Sequence, residues 1–277
     1  MTAIYRGMDR ATLDAAYDNT RPVADVDSFR KRWDETSAEV RAQPNAKLDL
    51  RYGERPRATL DYFPGQPGAP LFMFIHGGYW QRNEKERFAF TALGPNAHGI
   101  NVAVPGYTLA PEARLTYIVA EMRQAVTFLA DRAGELAFDR KRMLIGGWSA
   151  GGHLTAAVAD HPAVAGGLPI SGIFELEPIA LGVLNDKLQL SADEIARLSP
   201  LRNLKDRSPP LELFVGGNEL PELKRQSQEF SAAAQARGLP VNMTVLPGHH
   251  HFSILDELQS ADGALTKAIR DMIAGLR

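Results

Sequence analysis

The stretch Gly147-Trp148-Ser149-Ala150-Gly151-Gly152 follows a short apolar run, Met143-Leu144-Ile145, and precedes a helix-compatible segment that begins at His153. It fits the pattern Gly-x-Ser-x-Gly, in which a strand turns sharply into a helix and presents a serine at the apex. Side chains two positions before and after that serine would collide unless they were small, and glycine occupies both positions. The start of the helix also favours a developing negative charge. The stretch therefore predicts a strand–turn–helix element whose serine, Ser149, is a nucleophile for acyl transfer.

Segments of two kinds alternate around this element. The apolar runs of strand length lie at 71–75, 100–104, 143–146, 166–170, 211–215 and 241–246, and the stretches of helical periodicity lie at 115–135, 150–159, 222–237 and 262–275. Such alternation is typical of βαβ units and predicts an α/β fold with a mainly parallel central sheet and helices on both faces. Before these units, residues 1–45 favour two helical pieces, and 48–50 and 58–63 favour a pair of strands.

The length of 277 residues predicts one domain, spanning residues 1–277. Within it, residues 172–205 contain helix-like pieces at 180–188 and 192–198, between two core strands. Two interpretations of this insert remain open at the level of sequence. It is either a small helical cap over a pocket or a plain surface excursion.

Three consecutive histidines follow the apolar run at 241–246. A serine hydroxyl is a poor nucleophile at neutral pH, and histidine is the side chain whose ordinary pKa suits it to accept the serine proton. In an open α/β sheet, reactive side chains lie on loops beyond the carboxyl ends of the strands. We expect His251 to be the base because it directly precedes the next helix-like segment, and we expect His249 and His250 to be solvated loop residues.

A carboxylate is needed to fix the tautomer of that histidine and to stabilise the imidazolium that forms. The loop after the apolar run at 211–215 offers Glu219 and Glu222. Glu219 lies within the loop and is the preferred acid. Glu222 falls in the first turn of the next helix, where an acidic residue usually serves the helix dipole. The serine, Glu219 and the histidine then follow one another in the order nucleophile, acid, base, which is known from hydrolases built around such a turn.

The segment His76-Gly77-Gly78 follows the apolar run at 71–75 directly and is a close relative of the His-Gly-Gly-Gly oxyanion loop. Glycines let backbone N–H groups approach a substrate closely. We expect the N–H groups of Gly77, Gly78 and Ala150 to form an oxyanion hole, and His76 to brace the loop. The aromatic residues beside these segments are interpreted either as a substrate pocket or as packing, and they are Tyr79, Trp80, Trp148 and Phe174.

Several stretches together resemble the kynurenine formamidases (arylformamidases) of the α/β-hydrolase superfamily. The resemblance covers most of the chain and lies in Tyr17-Asp18-Asn19, His76-Gly77-Gly78-Tyr79-Trp80, residues 147–153, 171–178 and 198–201, Pro221-Glu222, Arg225-Gln226-Ser227 and His251-Phe252. The Tyr-Trp pair after the two glycines and the Pro-Glu-x-x-Arg-Gln-Ser run are the more specific motifs. The chain departs from the animal members at Glu219, where they commonly have aspartate.

This resemblance implies an α/β-hydrolase fold and a serine hydrolase that cleaves an N-formyl arylamide. The implied reaction converts N-formyl-L-kynurenine to L-kynurenine and formate through a formyl-serine, a step of tryptophan catabolism that needs no cofactor. Related bacterial sequences include esterases, so a carboxylesterase for short-chain acyl esters is the alternative. A third possibility is a non-catalytic protein that binds a small molecule with the same fold.

The composition argues against several classes of binding partner and of functional site. The 31 basic and 33 acidic residues nearly balance without a long basic run, which argues against nucleic acid and anionic membrane surfaces as partners. The absence of cysteine excludes disulfides, thiolate metal sites and a cysteine nucleophile, and the histidine triplet lacks the acidic spacing of a metal site. No signal-peptide region or membrane-spanning run is evident. We expect a cytoplasmic protein with a small-molecule substrate, no metal, and a homodimer as an open possibility.

Overall fold

Residues 2–206 and 208–276, which the computed structural model describes, contain an eight-stranded sheet in the order β1-β2-β4-β3-β5-β6-β7-β8. The strands are β1 (Lys47–Arg51), β2 (Thr59–Phe63), β3 (Ala69–Ile75), β4 (Asn101–Pro105), β5 (Phe138–Trp148), β6 (Gly166–Ile170), β7 (Leu211–Gly216) and β8 (Val241–Leu246). β2 pairs antiparallel with β1 and β4, and β3 to β8 pair in parallel. The mainly parallel sheet predicted from the sequence is confirmed.

Helices connect the strands and cover both faces of the sheet. They are α1 (Arg10–Ala16), α2 (Val26–Arg41), α3 (Leu93–Ala97), α4 (Leu115–Asp131), α5 (Ala150–Val158), α6 (Glu177–Leu181), α7 (Asn185–Leu188), α8 (Ala192–Leu198), α9 (Pro221–Ala236), α10 (Asp256–Gln259) and α11 (Ala264–Gly275), with 3-10 turns at Lys85–Ala92 and Ser253–Leu255. No helix within the described ranges is long and apolar enough to cross a membrane.

The sheet separates two apolar layers, and alternate residues of its central strands point into each. In β3, Leu71 and Ile75 belong to the layer that includes α4, α5 and α9, whereas Phe72 and Phe74 belong to the layer that includes α2 and α11. Every residue of β3 after Ala69 is buried, because helices cover both faces. This two-sided burial explains why the strand is a continuous apolar run.

The parallel register brings several strand ends to one edge of the sheet. The end of β3 pairs with β5 at Ile75 and Gly147, the end of β5 pairs with β6 at Trp148 and Ile170, and β7 pairs with β8 to the last residue of each strand. The loops that follow these strands therefore share one edge. The residues selected from the sequence lie on those loops.

One helical stretch was not predicted from the sequence, namely the 3-10 turn and α3 between residues 85 and 97. Its first residue, Lys85, is 3% exposed and donates hydrogen bonds of 2.7 Å to both Asp61 and Asp49. Asp61 lies on β2 and is fully buried, so the ion pair ties this turn to the sheet. Contacts between residues that are distant in the sequence fix this stretch, so no periodic apolar pattern was available to predict it.

Candidate active site

Ser149 occupies the turn between β5 and α5 with φ 59° and ψ −117°. A positive φ is strained for a residue with a side chain, and it persists where the surroundings fix it. A Cβ on Gly147 would lie 2.4 Å from the carbonyl oxygen of Gly151, and a Cβ on Gly151 would lie 2.0 Å from that of Ile75. Both glycines are therefore required by close backbone contacts. The predicted strand–turn–helix element is present, with the serine at its apex.

His251 lies on the loop after β8, and its Nδ1 is 2.7 Å from Oε2 of Glu219 on the loop after β7. The histidine is 3% and the glutamate 4% exposed. The other carboxylate oxygen, Oε1, accepts hydrogen bonds from the backbone N–H of Gly216 at 2.8 Å and from the hydroxyl of Ser171. A carboxylate held in this way keeps the proton of a neutral imidazole on Nδ1, which leaves a lone pair on Nε2.

Ser149 and His251 border the same cavity, which has a volume of about 670 Å³. Trp148, beside the serine, donates its indole N–H to the carbonyl oxygen of His251 at 2.7 Å and so ties the histidine loop to the turn. Nε2 of His251 lies 3.3 Å from Nδ2 of Asn19, and the Ser149 hydroxyl forms no hydrogen bond with a described residue. Without a substrate, a bond between a nucleophile and its base is often long, and it tightens in the complex.

Glu222, the alternative acid, forms no hydrogen bond or ion pair with His251. Its carboxylate pairs with Arg225 at 2.7 Å and accepts a hydrogen bond of 3.0 Å from the hydroxyl of Tyr17. The Arg225 guanidinium and the hydrogen bond from Tyr17 outweigh burial and hold the pKa of this carboxyl below its ordinary value. Of the two acids, Glu219 is the one that the structure places on the histidine.

His249 and His250 are not the solvated loop residues expected from the sequence. Both are half-buried: Nε2 of His249 lies 3.2 Å from the Glu257 carboxylate, and Nδ1 of His250 accepts hydrogen bonds from the backbone N–H groups of Phe252 and Ser253 at 3.2 Å. Burial lowers the pKa of His250. The two histidines shape the loop that carries His251.

The loop after β3 approaches the serine closely. A Cβ on Gly77 would lie 2.7 Å from the carbonyl oxygen of Trp148 and 3.0 Å from Cβ of Ser149, so a larger residue cannot be accommodated there. Gly78 has φ 116° and borders the cavity. No carbonyl of a described residue accepts a backbone hydrogen bond from the N–H of Gly77 or Gly78. Ala150 is the first residue of α5, where a helical N–H has no partner within the helix.

His76 stands behind this loop. Its ring is stacked between Phe88 and Tyr107, with ring centroids at 5.6 and 4.3 Å, and its Nδ1 lies 2.9 Å from the carbonyl oxygen of Gly77. The same oxygen accepts a hydrogen bond of 3.1 Å from the side chain of Asn83. Burial lowers the pKa of His76 to about 4, so the ring is neutral at physiological pH. Its position is that of the brace expected from the sequence.

Two of the four aromatic residues expected at the pocket border the cavity, namely Tyr79 and Trp148. The other two were assigned to the pocket wrongly. The ring of Trp80 is fully buried and meets His153 edge to face at 4.9 Å, and the ring of Phe174 stacks on Phe230 of α9 at 4.4 Å. Proximity in sequence to the site did not determine the direction of these side chains, because each turns into the core.

The N-terminal wall of the cavity was not predicted from the sequence. α1, the loop after it and α2 contribute Leu13, Tyr17, Asp18, Asn19, Arg21 and Trp33 to this wall. The insert at 172–205 contributes Pro178, Ile179, Val183 and Leu184. The backbone N–H of Val183 donates to Asp14 of α1 at 2.7 Å, so the two walls are joined. The first part of the insert and the N-terminal segment are therefore adjoining walls of the cavity. The Tyr17-Asp18-Asn19 motif was the available sequence signal for that segment.

The chain is similar in sequence to known hydrolases. The sequence profile of the BD-FAE family matches residues 62–163. The chain is 30% identical over 250 residues to the kynurenine formamidase of Danio rerio, covering 84% of each protein, and 28% identical over 256 residues to that of Salmo salar, covering 86% of each. It is also 24% identical to the isoprenylcysteine alpha-carbonyl methylesterase ICME of Arabidopsis thaliana, over 74% of this chain and 56% of that protein.

Solved structures give the same fold. A crystal structure from Silicibacter sp. tm1040, provisionally named a thioesterase, superposes with a TM-score of 0.85 at 30% identity and covers 93% of this chain and 98% of that one. The esterase of Pyrobaculum calidifontis superposes with a TM-score of 0.72 at 16% identity, over 97% and 99% of the two chains. Together with the sheet order, these likenesses establish the α/β-hydrolase fold.

Residues 2–206 and 208–276 hold no cluster of three or more side chains suited to a metal ion.

Proposed function

Because the chain belongs to the kynurenine formamidase family of α/β hydrolases, we propose that it hydrolyses N-formyl-L-kynurenine to L-kynurenine and formate, a reaction of tryptophan catabolism. The observation that carries this proposal is the arrangement of three side chains at one sheet edge. Ser149 and His251 border one cavity, and Glu219 contacts the Nδ1 side of the histidine at 2.7 Å. Nucleophile, base and orienting acid are the minimum set for serine acyl transfer.

In the first half of the reaction, the Ser149 oxygen attacks the formyl carbon while Nε2 of His251 takes the hydroxyl proton. The carbonyl oxygen becomes an oxyanion, which the N–H groups of Gly77, Gly78 and Ala150 stabilise. When the tetrahedral intermediate collapses, the carbon–nitrogen bond breaks and His251 returns the proton to the departing arylamine. The free amine and a formyl-serine are the products of this half.

In the second half, water attacks the formyl-serine while His251 accepts one of its protons. The ester bond to Ser149 then breaks, the serine regains its hydrogen from His251, and formate leaves with release of one proton. The negative charge of Glu219 stabilises the imidazolium form of His251 in both halves. Every proton transfer within the site passes through this one histidine.

The cavity suits the proposed substrate in size and in chemistry. Its volume of about 670 Å³ is within the usual range for small-molecule sites. Aromatic side chains suited to an aryl ring border it, namely Trp33, Tyr79, Trp148 and Phe252. N-formylkynurenine also carries an amino-acid end with an ammonium and a carboxylate group. The exposed side chains of Asp18, Arg21 and Arg82 border the same cavity and offer both signs of charge to that end.

A carboxylesterase is the second candidate function. It is favoured by the relatedness to methylesterases and by the superposition on esterase structures. The same serine, histidine and glutamate would cleave a short-chain acyl ester by the same two halves, with an alcohol in place of the arylamine. The identity to the formamidases is higher and spans more of both chains, so the formamide reaction is our principal proposal.

Substrate preference separates the two functions. We would measure kcat/KM of the purified protein for N-formyl-L-kynurenine, formanilide and p-nitrophenyl acetate. We expect efficient formate release from N-formylkynurenine and a kcat/KM above that for the acetyl ester. Cleavage of the ester without formate release from either formamide would overturn it in favour of a carboxylesterase.

A further inference from the structure

We propose that Asn19 is a specificity-determining residue, whose side-chain oxygen accepts a hydrogen bond from the N–H of the scissile formamide and thereby favours amides over esters. This inference rests on the proposed formamidase function. It assigns a role to the N-terminal segment, which contributes none of the three residues of the acyl-transfer mechanism.

The orientation of the Asn19 amide is set by its neighbours. The Tyr79 hydroxyl donates to the backbone carbonyl of Tyr17 at 2.6 Å, so its oxygen accepts the hydrogen bond from Nδ2 of Asn19 at 3.1 Å. The Glu219 carboxylate keeps the His251 proton on Nδ1, so Nε2 is an acceptor as well, 3.3 Å from the same Nδ2. The reversed amide would set its oxygen against lone pairs on both neighbours.

The amide oxygen, Oδ1, is then left without a partner. Asn19 borders the cavity and is 6% exposed, and its Oδ1 is buried with no hydrogen-bond partner among the described residues. Buried acceptors without a donor are rare in folded proteins and call for a specific explanation. A substrate that brings its own N–H into this cavity supplies the missing donor.

Because Asn19 lies beside the base, the substrate N–H that can reach it is the one on the leaving nitrogen. The leaving atom of the substrate has to lie within hydrogen-bond reach of His251 Nε2, since it takes the proton from there. The amide of Asn19 adjoins that same nitrogen. A formanilide nitrogen carries one hydrogen of its own, which can point to Oδ1. The leaving oxygen of an ester carries no hydrogen, so its lone pairs would face those of Oδ1.

The contact between Asn19 and His251 also links substrate entry to activation of the base. Nε2 has a single lone pair, so it has to lose the bond from Nδ2 before it can accept the Ser149 proton. We therefore expect the Asn19 side chain to rotate when substrate enters, which releases Nε2 and brings Oδ1 to the cavity. The backbone that carries Asn19 is anchored meanwhile, because the Tyr17 hydroxyl lies 3.0 Å from the Glu222 carboxylate and 2.8 Å from the Gln226 amide nitrogen.

The test uses formanilide and phenyl formate, which share the formyl group and the aryl ring and differ only in N–H against oxygen. For Asn19→Ala and for the similarly sized Asn19→Leu, we expect kcat/KM for formanilide to fall about tenfold or more, while that for phenyl formate changes less than about threefold. Tyr79→Phe removes a partner of Nδ2 and retains Oδ1. It is expected to preserve the ratio of the two rates.

Equal loss on both substrates, or no loss on either, in both Asn19 variants would overturn the inference. Far-UV circular dichroism reports, independently of either activity, whether each variant has folded. Wild-type protein that cleaves phenyl formate and leaves formanilide intact would instead refute the proposed function, and with it this role of Asn19. Wild-type activity on both substrates with an unchanged ratio in the variants would refute the role of Asn19 alone.

Discussion

Oε2 of Glu219 lies 2.7 Å from Nδ1 of His251, and both side chains are almost completely shielded from solvent. The other oxygen of the carboxylate is occupied by the fixed backbone N–H of Gly216 and by the hydroxyl of Ser171. Each oxygen therefore has a defined task. One holds the acid in place, and the other determines which nitrogen of the histidine carries the proton.

This arrangement predicts the effect of Glu219→Gln. The backbone N–H of Gly216 requires the glutamine oxygen at the Oε1 position, so the NH₂ group has to face Nδ1 of His251. The histidine proton then moves to Nε2, which can no longer accept a proton from Ser149. We expect kcat to fall about 10³-fold or more, as measured by formate release, with little change in KM.

Glu222→Gln is the matched control, because Glu222 pairs with Arg225 and makes no contact with His251. Its activity should be close to that of the wild-type protein, because glutamine retains an oxygen that can accept the hydrogen bond from Tyr17. If the two glutamine variants lost activity to the same degree, the assignment of Glu219 as the acid would be wrong.

The oxyanion loop predicts a second effect. An added Cβ at Gly77 would lie 2.7 Å from a carbon of the Trp148 ring and 3.0 Å from Cβ of Ser149, so Gly77→Ala has to displace the loop from the serine. We expect kcat to fall about 10²- to 10³-fold through loss of an oxyanion donor. Gly134→Ala serves as the control, since no atom lies within 4 Å of the added carbon. Full activity of Gly77→Ala would exclude this loop from the site.

The residues that sequence could predict are those whose role depends on local patterns. Gly147 and Gly151 flank Ser149 because the turn itself requires small residues there, and the acid and base could be placed by chain order and strand ends. The N-terminal wall could not be derived in that way. Asn19 reaches His251 across 232 positions of the chain, through a loop whose path depends on the packing of α1 and α2. The buried rings of Trp80 and Phe174 were misassigned for the same reason, since tertiary packing directs them.

Two buried histidines predict an acid-sensitive fold. Burial lowers the pKa of His76 and of His153 to about 4, from an ordinary value of about 6.5. The unfolded chain therefore binds more protons than the folded protein between pH 6.5 and 4, and stability falls as the pH falls through that window. By pH 5 we expect a loss of about 2 kcal/mol for each histidine, measured as the free energy of unfolding in urea.

His153→Gln should remove the part of this pH dependence that belongs to His153. Burial also lowers the pKa of His161 and of His250, which contribute in the same direction. A free energy of unfolding that is equal at pH 7.5 and pH 5 in the wild-type protein would contradict the neutral, buried state of these rings.

The exposed arginine at the cavity predicts an effect on substrate binding. Arg82 borders the cavity and forms no ion pair with a described residue, so it is available for the carboxylate of N-formylkynurenine. Arg82→Gln is expected to raise KM for that substrate about fivefold with kcat unchanged, and to leave formanilide hydrolysis unaffected. Arg140→Gln is an exposed control away from the cavity. Equal effects of Arg82→Gln on the charged and uncharged formamides would remove this residue from substrate recognition.

Formate release from N-formyl-L-kynurenine by the wild-type protein and by Ser149→Ala, measured side by side on folded samples, tests the proposed nucleophile and the proposed reaction together. We expect efficient turnover by the wild-type protein and a loss of about 10⁴-fold or more in the variant. Substantial turnover by Ser149→Ala, or a wild-type protein that releases no formate, would contradict it.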